Sequence, residues 1–110
     1  MIKENTSNAA NRQFLYKVCR INGALDMIAG RWKGLILIHI SEGQNRFSLL
    51  KQLLPVSDQV LGKQLRELEA DKLISKTVIP EVPVRVDYQL TEKGKAVIPI
   101  LEALAEWRDL

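Results

Sequence analysis

The sequence has little of the chemistry that secreted domains and most enzymes depend on. Cys19 is its single cysteine and His39 its single histidine. A lone cysteine excludes a disulfide within the chain, and with it a small secreted scaffold held together by disulfides. One histidine and one cysteine, far apart in sequence, make no nucleophile–base pair. Neither metal-ligand spacing nor a glycine-rich phosphate loop is present, so we expect no enzyme, no metal and no cofactor.

Long apolar runs and aromatic residues are also scarce. The longest apolar run, residues 35–38, is far too short to cross a bilayer. The N-terminus lacks the apolar core of a signal peptide, so we expect a cytoplasmic protein with no membrane partner. Aromatic residues make up 5% of the chain, which leaves aliphatic side chains to fill most of the core.

What the chain does have is typical of one small, soluble, basic domain. Its 110 residues, 46% hydrophobic and 26% charged, suit a single globular domain over 1–110. The formal net charge of +3 fits a polyanionic partner. Residues 1–10 are polar and small, which indicates either a frayed tail or the lead-in to a helix that ends near Cys19.

The spacing of apolar residues predicts the first half of the fold. Apolar residues recur at helical spacing over 24–29, where Gly30 closes the turn, and again over 32–40, in a helix that stops at Gly43. Residues 45–47 then form a short extended bridge. The chain therefore begins with two helices and a bridge.

Two serines predict the starts of two further helices. Ser48 suits the N-cap of a short helix over 49–54, which Pro55 ends. Ser57 suits the N-cap of a longer helix, whose buried face carries leucines at i, i+4 and i+7. Those leucines are Leu61, Leu65 and Leu68. The opposite, polar face carries Asp58, Gln59, Gly62, Lys63 and Arg66.

The last third predicts a hairpin followed by a helix. Residues 73–79 are rich enough in β-branched side chains for a strand, and 80–83 form a turn. Residues 84–90 alternate apolar with polar, the period of a second strand. Thr91 caps a final helix in which Pro99 predicts a kink or a late start. The complete order predicts a mainly helical α+β fold with a small β-hairpin, a winged helix-turn-helix.

In that fold the second helix of the motif enters the major groove of DNA, where each base pair displays a distinct donor and acceptor pattern. The hairpin tip supplies a second contact to phosphates or the minor groove. The alternatives are a solvated helix face, an ordinary exposed turn and, for Arg46, a surface salt bridge. The candidate DNA-binding residues are Arg46, Ser48, Ser57, Asp58, Gln59, Lys63, Arg66, Pro83 and Arg85.

Several segments together resemble the HxlR family of bacterial winged-helix regulators, which are related in fold to the MarR family. The resemblance covers about residues 19–107. It rests on Cys19, Ala24-Leu25-Asp26, Gly30-Arg31-Trp32-Lys33, Arg46-Phe47-Ser48, Ser57 with Val60-Leu61, Gln64-Leu65-Arg66-Glu67-Leu68-Glu69, the run from Pro83 to Gly94, and Trp107.

The resemblance implies a homodimeric DNA-binding regulator, with the terminal helices forming the dimer interface. Two-fold pairing of two winged helices then predicts a pseudo-palindromic duplex operator. The apolar residues Leu101, Leu104 and Trp107 of the last helix exceed what a core this small can cover, which fits that interface. The alternative function is a winged-helix module that binds protein and not DNA. The basic residues of the polar helix face and of the hairpin favour DNA.

Cys19 is the candidate for signal sensing. Several HxlR-family members sense electrophiles, oxidants or aldehydes through a cysteine placed like Cys19, so the resemblance implies a small-molecule or electrophile effector. Lys17 and Arg20 flank it, and nearby positive charge favours the reactive thiolate. The alternative is an inert structural thiol.

Overall fold

The computed structural model describes the backbone of residues 2–110 and the side chains from Ala9 onward. Over these residues the chain forms five helices and one two-stranded antiparallel sheet, which confirms the predicted winged helix-turn-helix. The elements are α1 (Ile2–Met27), α2 (Lys33–Ser41), α3 (Phe47–Leu53), α4 (Asp58–Ala70), β1 (Ile74–Ile79), β2 (Arg85–Leu90) and α5 (Glu92–Arg108). None of the helices within the described residues is long and apolar enough to cross a membrane.

Helix α1 is longer than the sequence predicted. The expected helix end near Cys19 is wrong, because a single helix of 26 residues runs on to Met27. Residues 2–10 are helical in the structure, while Met1 lies outside the described residues. Gly23 lies inside the helix and costs about 1 kcal/mol of helix propensity, which weakens a helix without ending it. The break comes instead at Gly30, where a positive φ of 85° turns the chain.

The core is aliphatic, as the scarcity of aromatic residues predicted. Helices α2, α3 and α4 bring their apolar faces together under the start of β1. The buried hydrophobic side chains are Ile36, Leu37, Ile40, Leu50, Leu54, Leu61, Leu65, Leu68, Leu73, Ile74 and Tyr88. Each buried leucine or isoleucine contributes about 1.5–3 kcal/mol relative to an exposed one. The three leucines predicted for α4 are all among them.

Two of the three predicted caps are correct. The hydroxyl oxygen of Ser57 accepts a hydrogen bond from the Val60 amide at 3.1 Å. The Thr91 hydroxyl accepts one from the Gly94 amide at 3.0 Å. The prediction for Ser48 is wrong: it lies in the first turn of α3, whose N-cap is Arg46. Arg46 pairs with Asp87 in an isolated β-bridge, so the extended segment ends earlier than the serine suggested.

The strands and the last helix are tied together at one point. β1 and β2 pair in register from Ile74–Leu90 to Ile79–Arg85. The Thr91 hydroxyl donates to the Lys72 carbonyl at 2.6 Å, which fixes the start of α5 against the beginning of the hairpin. The late start that Pro99 suggested is therefore wrong, and Pro99 lies inside α5.

Candidate nucleic-acid interface

Helix α4 presents a polar row on the side opposite its buried leucines. The sequence predicted this division, and the structure places the long polar side chains of the row around one shallow surface recess of about 340 Å³. An α-helix fits the major groove with such a face toward the bases. The residues that line the recess are Gln59, Val60, Lys63 and Arg66.

Gly62 lies within this row and leaves space for a neighbour. A Cβ atom added at Gly62 would lie 3.2 Å from Nη1 of Arg66. The missing side chain therefore gives the Arg66 guanidinium room to lie close to the helix.

The start of α4 is fixed by its own cap and by α3. The Ser57 oxygen accepts a hydrogen bond from the Val60 amide, and a hydroxyl that accepts can also donate its own hydrogen. The negative charge of Asp58 in the first turn interacts favourably with the positive end of the helix dipole. Its carboxylate lies 3.6 Å from Nζ of Lys51, which also donates to the Val56 carbonyl. Lys51 thus connects α3, the intervening turn and α4.

The β1–β2 hairpin is the wing of this fold, and it meets the start of α3 around the carboxylate of Asp87, which the sequence analysis did not identify. Asp87 Oδ1 lies 3.2 Å from Nε of Arg85 and 3.8 Å from Nε of Arg46. Arg85 also lies 3.5 Å from Glu81. The salt bridge considered for Arg46 is therefore present. Strand alternation placed Asp87 on the exposed face with Arg85, but its side chain is only 18% exposed because the segment before α3 covers it.

The remaining predicted residues lie around the same place. A cleft of about 340 Å³ opens between the hairpin tip and the start of α3. Its lining includes Arg46, Phe47, Ser48, Glu81, Pro83, Val84, Arg85 and Val86. The structure thus brings four of the predicted contacts to one cleft, namely Arg46, Ser48, Pro83 and Arg85. Of the predicted contacts in α4, Gln59, Lys63 and Arg66 line a separate recess.

Sequence reasoning also missed a buried charge beneath α4. Lys33 is 8% exposed, and its Nζ lies 2.7 Å from Oε2 of Glu67 in α4. The hydrogen bond from Lys33 lowers the pKa of Glu67, against the partial desolvation of its carboxyl, and the charges of Lys33, Lys63 and Arg66 lower it further. A lysine on the apolar stripe of α2 was the available signal, since a buried charge requires a partner. The pair links α2 to α4.

Cys19 is exposed on α1. Of the two flanking charges that motivated the switch hypothesis, Arg20 has another partner. Its guanidinium carbon lies over the Tyr16 ring, 5.6 Å from the ring centroid. The structure therefore supports the accessibility of the thiol, and it places Arg20 against an aromatic ring.

The terminal helices expose apolar side chains. Trp107 is 70% exposed and Leu104 is also exposed, whereas Leu101 packs partly against the core. Contiguous exposed apolar surface on a small protein marks an interaction site. On α1 the exposed large hydrophobic residues are Phe14, Leu15, Tyr16, Ile21 and Leu25.

Comparison with known proteins decides the family. The profile of HxlR-like helix-turn-helix proteins matches residues 27–110, from the last residue of α1 to the C-terminus. The chain belongs to this family. The resemblance drawn from the sequence motifs is confirmed, and with it the function as a DNA-binding transcriptional regulator. The HxlR match begins after Cys19, so it does not bear on that residue.

Individual proteins that are similar to this HxlR-family chain are also described as regulators. An HTH-type transcriptional regulator of Methanothermobacter thermautotrophicus is 48% identical over 91 residues, which cover 82% of this chain and 70% of the relative. The redox regulator HypR in its oxidized form is similar in structure, with a TM-score of 0.74, 38% identity and coverage of 83% of this chain and 95% of HypR. The reduced form of the regulator YodB from Bacillus subtilis has a TM-score of 0.71, 33% identity and coverage of 82% and 89%.

Proposed function

We propose that this HxlR-family regulator binds a pseudo-palindromic operator as a homodimer, with α4 in the major groove and the hairpin tip against the flanking backbone. The observation that carries the proposal is the polar row of α4, exposed opposite a fully buried leucine face. A helix whose apolar face is fixed in the core presents its other face rigidly, as base recognition requires.

The residues of the row match base edges and phosphates. Gln59 offers the paired donor and acceptor that adenine requires, and Lys63 and Arg66 match guanine or phosphate. In this proposal Asp58 accepts from a cytosine amino group and Ser57 donates to a phosphate. These roles belong to the second helix of the helix-turn-helix, which reads sequence.

The wing and the start of α3 supply sequence-independent contacts. Arg85 and Pro83 border the cleft at the hairpin tip, and Arg46 and Ser48 border it from α3. Phosphate contacts of this kind fix the register of the protein on the duplex and make the affinity depend on salt. We assign these four residues to the DNA backbone or the minor groove.

A second copy of the chain would cover the exposed apolar residues of α1 and α5. On α1, Phe14, Val18, Ile21 and Leu25 are spaced by four, three and four residues, the spacing of a helix–helix seam. Leu104 and Trp107 extend the apolar surface on α5. Two-fold pairing would set two α4 helices against half-sites about one helical turn apart, or a multiple of that distance.

The function is tested by duplex selection followed by substitution. A duplex of about 30 base pairs, long enough for two half-sites, is selected from a random library with the wild-type protein. The triple substitution Gln59→Ala, Lys63→Ala and Arg66→Ala should weaken its binding by about a hundredfold or more. The matched control changes the same residue types elsewhere, at Gln89, Lys95 and Arg108. Unchanged affinity in the folded α4 triple variant would refute the assignment.

We further propose that the regulator acts in the cytoplasm and that Cys19 is its thiol switch. Its exposure makes it accessible, and a lone cysteine limits the products to a cross-dimer or mixed disulfide, a sulfenic acid or an adduct. Bulk or charge added on α1 would act on the dimer helices, away from α4. Diamide or a quinone should change duplex binding of the wild type and not of Cys19→Ser; an equal response of both proteins would exclude Cys19.

A further inference from the structure

Strand β2 is held on both sides, by the other strand of the wing and by the segment that leads into α3. On one side it pairs with β1, and on the other the Tyr88 amide donates to the Asn45 carbonyl at 2.7 Å beside the Arg46–Asp87 bridge. The wing is therefore attached by its backbone to the first helix of the helix-turn-helix. Asp87 lies at the centre of this attachment.

The side chain of Asp87 is shared between the two elements. One oxygen, Oδ1, lies 3.2 Å from Nε of the wing residue Arg85 and 3.8 Å from Nε of Arg46 at the start of α3. Glu81 adds a second carboxylate, 3.5 Å from Arg85. The two positive charges of the guanidinium groups therefore balance the two negative charges of the carboxylates. The central carboxylate of this cluster, that of Asp87, is largely covered.

The contact inside the cluster is electrostatic rather than a directed hydrogen bond. Within the described residues, Nε of Arg85 and Oδ1 of Asp87 are buried, yet neither atom has a hydrogen-bond partner of good geometry. Buried polar atoms in this state call for a functional or structural reason. Since Nε of Arg85 makes no aligned hydrogen bond to Asp87, the guanidinium can reorient without breaking one. Its outer nitrogens, Nη1 and Nη2, can then turn toward a phosphate while Nε stays beside the carboxylate.

We infer that Asp87 is a positioning residue that couples Arg46 to Arg85, so that α3 and the wing present their guanidinium groups to DNA at a fixed separation. The inference rests on the proposed function, since it concerns how the proposed backbone contacts are arranged. Arg46 and Arg85 share the negative charge of Asp87, so each one weakens the hold of that carboxylate on the other. Removal of one arginine therefore leaves the other held more strongly by Asp87 and less available to phosphate.

The first test is Asp87→Asn, which keeps the shape of the side chain and removes its charge. Affinity is measured for the selected duplex and for a scrambled duplex of the same composition. The ratio of the two affinities should fall by about tenfold, because the arginines gain charge available to any phosphate and lose their fixed separation. Asp109→Asn, which removes an exposed charge at the C-terminus, should leave the ratio unchanged, and Asp87→Glu should restore part of it.

A double-mutant cycle separates positioning from a merely structural role. In the wild-type background, Arg46→Ala with Arg85→Ala should weaken binding by about fivefold less than the product of the two single effects. In the Asp87→Asn background the two effects should multiply. Equal behaviour in both backgrounds, or a parallel change in affinity for both duplexes, overturns the inference. Absence of any preference of the wild type for the selected duplex would instead overturn the proposed function.

Discussion

Replacement of Gly62 by alanine should stabilise the fold and weaken DNA binding, and both effects follow from the place of this glycine in α4. Gly62 lies in the middle of the helix, where alanine is favoured by about 1 kcal/mol. The new Cβ would lie 3.2 Å from Nη1 of Arg66, the far end of a flexible side chain. The guanidinium moves by a few tenths of an ångström at little cost, so a net gain of about 0.5–1 kcal/mol remains.

The cost appears only in the complex with DNA. If the guanidinium of Arg66 reaches a base edge or a phosphate from beside Gly62, its displacement should remove part of a contact whose complete loss costs about 1–3 kcal/mol. We expect weaker binding to the selected duplex, by up to about tenfold. A double substitution with Arg66→Ala should abolish the effect of Gly62→Ala on binding, because no guanidinium is then left to displace.

Denaturant unfolding and fluorescence anisotropy with a labelled duplex measure the two effects. Gly23→Ala is the matched control, since Gly23 lies inside α1 and a Cβ there would meet nothing within 4 Å. It should raise stability by a similar amount and leave duplex affinity unchanged. The reasoning fails if Gly62→Ala destabilises the protein, or if its affinity for DNA equals that of the wild type.

Three further predictions address the fold, its pH dependence and its assembly. Gly94→Ala should cost more than about 2 kcal/mol in denaturant unfolding, because its Cβ would lie 2.0 Å from the Leu73 carbonyl oxygen and α5 would have to shift; near-wild-type stability would contradict this. The hydrogen bond from Lys33 lowers the pKa of Glu67 below its usual 4.5, so its contribution to stability is complete above about that pH and is lost as the pH falls through the lowered value. Glu67→Gln should therefore flatten the pH dependence of unfolding in that acid range, and an unchanged profile would assign the dependence to other carboxylates. Trp107→Ala should raise the dimer dissociation constant measured by sedimentation or light scattering, whereas a wild type that is monomeric at micromolar concentration and binds its duplex fully would exclude the proposed interface.

Local sequence patterns predicted the features that depend on residues a few positions apart, namely the buried face of α4 and two helix caps. The leucines of α4 are spaced for one helical face, and Ser57 and Thr91 precede their helices with suitable side chains, so each feature could be inferred within a few residues. Ser48 has the same local character and is not a cap. The difference is a pairing with β2, distant in sequence, which extends the backbone up to Arg46.

The missed parts of the site also depend on residues far apart in the chain. Lys33 and Glu67 belong to different helices, and strand periodicity assigned Asp87 to the exposed face. Only the placement of α3 against β2 covers that carboxylate and brings Arg46 to it. The sequence alone shows which side chains carry charge. It does not show which of those side chains come into contact in the folded chain.

Because α1 is long, a small change in the turn that follows it displaces the far end of the helix by a large distance. A helix of 26 residues is about 39 Å long, so a rotation of about 10° at its root moves its far end by about 7 Å. The side chains of α1 that pack on the body lie at that root, where Ala24 and Met27 line a small apolar cavity of about 200 Å³ with α5. Gly30 forms the joint between this lever and α2. In a dimer held through α1, the distance between the two copies of α4 would therefore be adjusted at this turn.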